Sequence, residues 1–314
     1  MTLSVGQVSA LATKGIEASG GVADLIFKNH AYLSRLKAKE GSYSGTSKTF
    51  PFNYMDDTQT TGAFYTGAEP LSLDMYDPYS ELSFDLKEVY EALVISSLDL
   101  AKNTGKEARL NLLDQRLKSV EMAMRQRMVK AIFGTGANAK EFVGMQSFLK
   151  ASSVNYGGVT DSDVPVHVAY VASNTGTPRA LTTALIQGAI GGASEGEERP
   201  TIGIMRQATM NDFIELIKPH QRTQKENLNG LGHAGPQLSY SGVDHIVDNL
   251  SVANGIAYLN EKFVKLYTHP EYNMKAVVIN DLETMDAVLH RIHYKGLYAC
   301  NVLRFQSLLK DLIN

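Results

Sequence analysis

Tryptophan is absent from the 314 residues, and cysteine occurs once, at Cys300. A single thiol cannot close an internal disulfide or build a cysteine-rich metal site, so Cys300 is expected to pack as a small hydrophobe. No eighteen apolar residues run together, and the opening MTLSVGQVSALATKG has neither a basic n-region nor an unbroken apolar h-region. Neither a membrane span nor a secretory leader is predicted, and the chain is expected to stay in the cytosol where it is made. A strong excess of either charge is missing too. Thirty Lys and Arg against 33 Asp and Glu give a formal charge of −3, which provides no overall basic field for tight nucleic-acid binding and leaves only a local patch for it. Walker-type loops, H-E-x-x-H and EF-hand strings do not occur, nor do internal repeats or low-complexity tracts. With 44% hydrophobic and 20% charged residues, the composition is that of one large globular domain or two smaller ones.

What the sequence does have is one long helical pattern. Thr104 and Glu107 form a capping box, after which Leu110, Leu113, Leu117, Val120, Met124, Met128 and Ile132 recur at steps of three and four. Arg109, Arg116, Lys118, Arg125 and Arg127 fall mostly off that stripe. No Pro or Gly interrupts Lys106 to Phe133, so the pattern predicts a rod of about 42 Å that ends at Gly134 and Gly136. A coiled coil is disfavoured because no second heptad tract is available to pair with it.

Residues 1–42 are rich in Gly, Ala and Ser and hold one helical stretch, VADLIFKNHAYLSRLKAKE, which reads as an arm. From Tyr43 to Asp85, strand-like pieces alternate with Pro51, Gly62, Gly67, Pro70 and Pro78, predicting an extended hairpin. No base occurs between Lys48 and Lys87, while Asp56, Asp57, Glu69, Asp74, Asp77, Glu81 and Asp85 all fall there. This is an acidic flap, either simply solvated or seeking a partner. LKEVYEALVISS is a strand or an edge helix. Residues 161–272 read as an α/β unit: helix RALTTALIQGAIGGA, strand TIGIMR, helix QATMNDFIELIKP, a loop, and strands around GIAYLNEKFVKLY. Strand-like KAVVIN and AVLHRIHYKGLYACNVL follow, then a short amphipathic RFQSLLKDLIN.

Three strings suggest enzyme chemistry. GLGHAG, Gly230 to Gly235, satisfies G-x-G-x-x-G, but polar residues precede it and a strand follows, the reverse of a dinucleotide site. GASEG spells the nucleophile elbow around Ser194, but in the order helix, loop, strand. GTGANA follows a helix, whose C-cap accounts for its glycines. His290 and His293 are the one close pair among eight histidines, and on a strand they would point to opposite faces. No cofactor, metal site or catalytic residue is predicted.

The order arm, acidic hairpin, strand, long rod, Gly-rich turn, α/β unit and returning strand resembles the major capsid proteins of tailed bacteriophages, whose fold is shared with encapsulin shells. The resemblance runs from about Tyr43 to Leu309. It is carried by YTGAEPLSL…YSELSFDLKEVYEALVISSLDL, MRQRMVKAIFGTG…FVGMQSFL, LSYSGVDHIVDN…NGIAYLNEKFVKLY and HRIHYKGLYACNVLRFQSLLKDL. It implies an α+β capsid fold with an N-terminal arm (1–42), an extended loop (43–88), a peripheral domain (89–160) with spine helix 105–133, an axial domain (161–272) and returning strands (273–314). Gly230, Gly232 and Gly235 would lie in an axial loop near the capsomer centre. Asp56, Asp57, Glu69, Asp74 and Asp77 of one subunit would face Arg109, Arg116, Lys118, Arg125 and Arg127 on the spine of the next.

The implied function is structural: pentamers and hexamers of one chain closing an icosahedral shell around double-stranded DNA, without sequence-specific binding and without a membrane. A separate scaffolding protein is implied, since the roughly forty residues before the hairpin leave no room for the cleaved scaffolding region with which other members begin, and a portal and a decoration protein fit the same scheme. Cross-linking through a loop lysine, found in some members, lacks its lysine here. The chain would reside in the virion after assembly in the host cytoplasm. An encapsulin-type compartment is the first alternative. An α/β enzyme using Ser194 or the 230–235 loop is the second.

Overall fold

The computed structural model describes residues 30–53, 64–70, 79–96, 120, 122–124, 126–217, 238–279 and 287–313. The helix Ala31–Ala38 is followed by β1 (Gly41–Ser42), β2 (Ser47–Asn53), β3 (Tyr79–Asp85) and β4 (Lys87–Ser96). After helical residues 126–133 come the one-turn helix Met145–Phe148, β5 (Asn155–Tyr156), β6 (Val159–Thr160) and β7 (Tyr170–Ala172). The helix Thr183–Gly192, β8 (Ile202–Met205), the helix Gln207–Ile217, β9 (Leu238–Tyr240), β10 (Val243–Val247) and β11 (Ile256–Leu259) follow. The chain continues through β12 (Val264–Thr268), β13 (Lys275–Ile279), β14 (Ala287–Cys300) and β15 (Ser307–Leu309).

β14 organises a five-stranded sheet. It carries β4 antiparallel along one edge, while β12 and β13 follow one another along the other and β1 adds to β12. Alternate side chains of a strand face opposite ways. Ile292, Tyr294 and Tyr298 therefore enter the main core, whereas Arg291, His293 and Lys295 line the other face and are only partly covered. β12, which falls within the expected 161–272 unit, pairs with β14 in this sheet. Cys300 is buried, and its backbone N–H donates to the Tyr156 hydroxyl at 2.8 Å.

Helical residues 122–124 and 126–133 carry the predicted stripe. Met124, Met128 and Ile132 are fully buried, and Val120 packs against the same core. Residues 97–119, Leu117 among them, lie outside the described residues. The helix end is closed by the turn that follows: the Gln146 side chain donates to the Phe133 carbonyl at 2.8 Å and its backbone N–H to the Gly134 carbonyl at 3.1 Å. These bonds satisfy carbonyls that a helix terminus leaves without partners. Gly144 lies so close that a Cβ there would fall 2.3 Å from the Gly134 oxygen.

A six-stranded sheet runs β7-β15-β11-β8-β10-β9, with β8 parallel to β10 and antiparallel to β11. β8 reads Ile-Gly-Ile-Met and is buried throughout, as a strand covered on both faces must be. Ile186, Ile190, Met210 and Phe213, from the two flanking helices, fill the second core. Thr182 caps the first of these helices, its hydroxyl accepting the Leu185 N–H at 3.3 Å.

Two expectations need correction. The arm does not lie off the subunit along its described length. Ala31, Tyr32, Leu33 and Leu36 are buried in the main core, and Arg35 is held by Glu261 and Asp244. The base of the hairpin is likewise built in, because the alternation of β2 and β3 points Phe50, Phe52, Leu82 and Phe84 inward. Ser307–Leu309 is a strand between β7 and β11, where both edges find ladder partners and Leu309 is buried.

Candidate intersubunit surfaces

The hairpin strands β2 and β3 pair in register from Ser47–Asp85 to Asn53–Tyr79, and residues 64–70 are described between them in sequence. Every residue of that segment is exposed, Phe64 completely. Glu69 belongs to it. Asp56, Asp57, Asp74 and Asp77 fall outside the described residues, as do Arg109, Arg116, Lys118, Arg125, Gly230, Gly232 and Gly235.

Arg127 has a partner within its own chain. Its Nε donates to Glu91 Oε1 of its own β4 at 2.6 Å. The reason is geometric. The helix lies against the core-facing side of β4, and Glu91 is the acid that β4 turns toward it. Between β4 and this helix runs a groove of about 640 Å³, whose lining includes Tyr90, Arg127, Lys130, Lys140 and Glu141.

The other face of the sheet is more strongly patterned. Lys275 lies directly across from His293, Tyr90 across from His293 on the other edge, and Glu88 across from Lys295. Glu88 hydrogen-bonds Lys295, holding that ammonium above its usual range, with an N–O distance of 2.6 Å. The ammonium groups of Lys295 and Lys275 stand 4.1 and 5.2 Å from the Tyr272 ring centre. Arg291 Nε is buried without a hydrogen-bond partner. None of these bases figured among the expected contacts, although the alternation in HRIHYKG was a readable signal: Arg291, His293 and Lys295 share one strand face. His290 faces the other way and is buried, and burial lowers its imidazole.

The Ser194 hydroxyl donates to the Ile190 carbonyl at 2.7 Å, just past the end of the helix Thr183–Gly192. It terminates a helix and does not sit on a strand-to-helix elbow. Among the described residues no helix is long and apolar enough to cross a membrane.

No protein-family model matches the chain, and no curated protein is similar to it in sequence. Solved shell structures share its fold. The capsid asymmetric unit of cyanophage A-1(L) superposes with a TM-score of 0.68 at 12% identity, covering 90% of this chain and 93% of that one. The capsid of a native GTA particle gives 0.60 at 14% identity, covering 88% and 90%. The holo-SrpI encapsulin complex from Synechococcus elongatus gives 0.55 at 12% identity, covering 90% and 87%. The α+β capsid fold expected from the order of elements is therefore the fold of this chain.

Proposed function

We infer that this chain is the repeating subunit of a protein shell, a major capsid protein that self-associates around packaged double-stranded DNA. The observation that carries the reading is the shell-protein fold across nine-tenths of the chain, joined to a segment between β2 and β3, residues 64–70, that is exposed throughout. In this reading the five-stranded sheet and helix 126–133 form the peripheral part. The six-stranded sheet forms the axial part, with Gly230, Gly232 and Gly235 in a loop near the capsomer centre. The acidic flap reaches a neighbouring copy. A separate scaffold and a portal complete the particle, a decoration protein fits its exterior, and assembly takes place in the host cytoplasm.

Electron microscopy of the purified chain, with nucleic-acid analysis of whatever particles form, tests this. Closed icosahedral particles that protect double-stranded DNA when made with their packaging partners support it. A chain that stays monomeric under all assembly conditions overturns it. The likeness to an encapsulin supports a second reading, a compartment around protein cargo. Particles holding a defined protein and no nucleic acid would select that one.

A further inference from the structure

The inward side chains of β2 and β3 form a row, and successive members of it have different anchors in the same subunit. At the root, the Phe84 ring stands 4.8 Å from that of Tyr156, and the Ser83 N–H donates to the Gly157 carbonyl at 2.8 Å. In the middle, Phe50 lies directly across from Leu82 and has the Tyr267 ring at 5.4 Å. Phe52 is the outermost, across from Ser80, and it stacks on His167 at 4.5 Å with the two rings 20° from parallel. Pro51, between the last two anchors, has no backbone N–H to donate to the ladder.

Phenol rings and a backbone hydrogen bond do not change protonation in neutral or acid solution. His167 does. It is 4% exposed, and its Nε2 is buried with no hydrogen-bond partner among the described residues. The acids of its own segment are engaged elsewhere, Asp161 by the Ser153 N–H at 2.8 Å and Asp163 by the Thr160 hydroxyl at 2.7 Å. On β3, Glu81 and Asp85 face outward, and on β2 the Lys48 ammonium stands over the rings of Tyr43 and Tyr267. No carboxylate therefore offers itself to a protonated ring, and burial is the one influence that shifts it. A neutral imidazole suits such a place. An imidazolium does not, because a buried charge without a partner is costly.

We propose that His167 is an acid-sensitive pin for the β2–β3 hairpin: the neutral ring holds Phe52 and fixes the angle of the strands, and the doubly protonated ring moves into water, so that the outer end of the hairpin lifts about the Phe50–Leu82 pair. The root stays fastened, since Phe50, Phe84 and Ser83 keep their anchors, and the motion is a bend and not a detachment. This device belongs to a single subunit and goes beyond the shell reading. Its direction follows from where the proton binds. The buried ring takes it only at about pH 4, a ring in water near pH 6.5. The lifted state is thus favoured progressively as pH falls below 6.5, and its ratio to the closed state rises by about 20-fold between pH 7 and pH 5.

Hydrogen exchange of the purified full chain, read by mass spectrometry at pH 7 and pH 5 and corrected for the intrinsic pH dependence of exchange, tests this, because it reports openings too rare to see directly. Protection of the amides at 52–53 and 79–80 should fall by about 20-fold at pH 5, while those of β8 and of the hairpin root keep theirs. His167→Phe preserves the stack without the titration and should hold the same protection at both pH values. His167→Ala removes the pin and should show, already at pH 7, exposed outer amides that acid alters no further. Unchanged protection in the parent overturns the proposal. A fall that persists in His167→Phe assigns the response to another group and also overturns it, as does an equal fall in β8, which would mean global unfolding. Failure of the shell reading is seen separately, as the absence of closed particles, and leaves this measurement on one subunit's own hairpin unaffected.

Discussion

The hydroxyl of Tyr32 lies 2.8 Å from that of Tyr298, so the helix Ala31–Ala38 and β14 share a hydrogen bond inside the main core across 266 positions of sequence. Tyr32→Phe keeps the ring and strips Tyr298 of that partner. A buried hydroxyl left unsatisfied costs about 1–3 kcal/mol. Urea unfolding of the purified chain should show a loss of this size, and a larger one of about 3–5 kcal/mol for Tyr32→Ala, which also opens a cavity.

Glu261 fastens the same helix. Burial alone would raise its carboxyl, but the hydrogen bonds and charge of Arg35, with Lys39 beside it, outweigh burial and hold it below the usual range. A carboxyl depressed in the folded state stabilises fully above its unfolded value of about 4.3, and that contribution is lost as pH falls through the folded value. Glu261→Gln should therefore lower stability at pH 7 and flatten the acid limb of a stability-versus-pH curve below about pH 4.

His167 works over a different window. It is buried and stacked on Phe52 at 4.5 Å, and burial pushes its imidazole down to about 4. The unfolded chain binds this proton near pH 6.5, so stability is full above that value and declines as pH falls toward 4. The expected loss between pH 7 and pH 5 is about 2 kcal/mol from this group. His167→Phe should remove that slope while keeping the stack, as chemical denaturation at the two pH values would show.

Gly144 and Gly188 should respond oppositely to alanine. At Gly144 the new methyl would meet the backbone oxygens of Gly134 and Ala131 at 2.3 and 2.5 Å, where no side chain can yield. Gly144→Ala is expected to destabilise by about 1–3 kcal/mol through overpacking. Gly188 sits inside the helix Thr183–Gly192 with nothing within 4 Å of its Cβ position. Gly188→Ala should stabilise by about 0.5–1 kcal/mol. Thermal unfolding of the two variants beside the parent checks both signs.

What was legible in the sequence followed from local periodicity. The spacing of Met124, Met128 and Ile132 announced a helix face, and all three side chains are buried. The Phe50–Phe52 and Leu82–Phe84 alternations belong to the paired strands β2 and β3. The order of such pieces was enough to suggest the capsid fold. Long-range partners were not legible. Arg35 looked like an arm residue because Glu261 and Asp244 are more than 200 positions away. Ser307–Leu309 is a strand because β7 and β11 offer it two edges, a tertiary influence that overrides local preference. At the surface, attention to the acidic flap and the spine arginines passed over the period-two bases of β14, whose significance appears only when β13 sets Lys275 across from His293.

The placement of β14 and β15 also bears on the timing of synthesis. β14 joins β4 to β12 and β13, and β15 joins β7 to β11, yet both lie in residues 287–309, after every other described strand. A nascent chain still short of Ala287 has two open sheets whose halves have nothing to bridge them, and pairings this distant in sequence form slowly. On a polysome, then, a growing chain still short of Ala287 carries both sheets unfinished. Both sheets can therefore be completed only once these strands have left the ribosome.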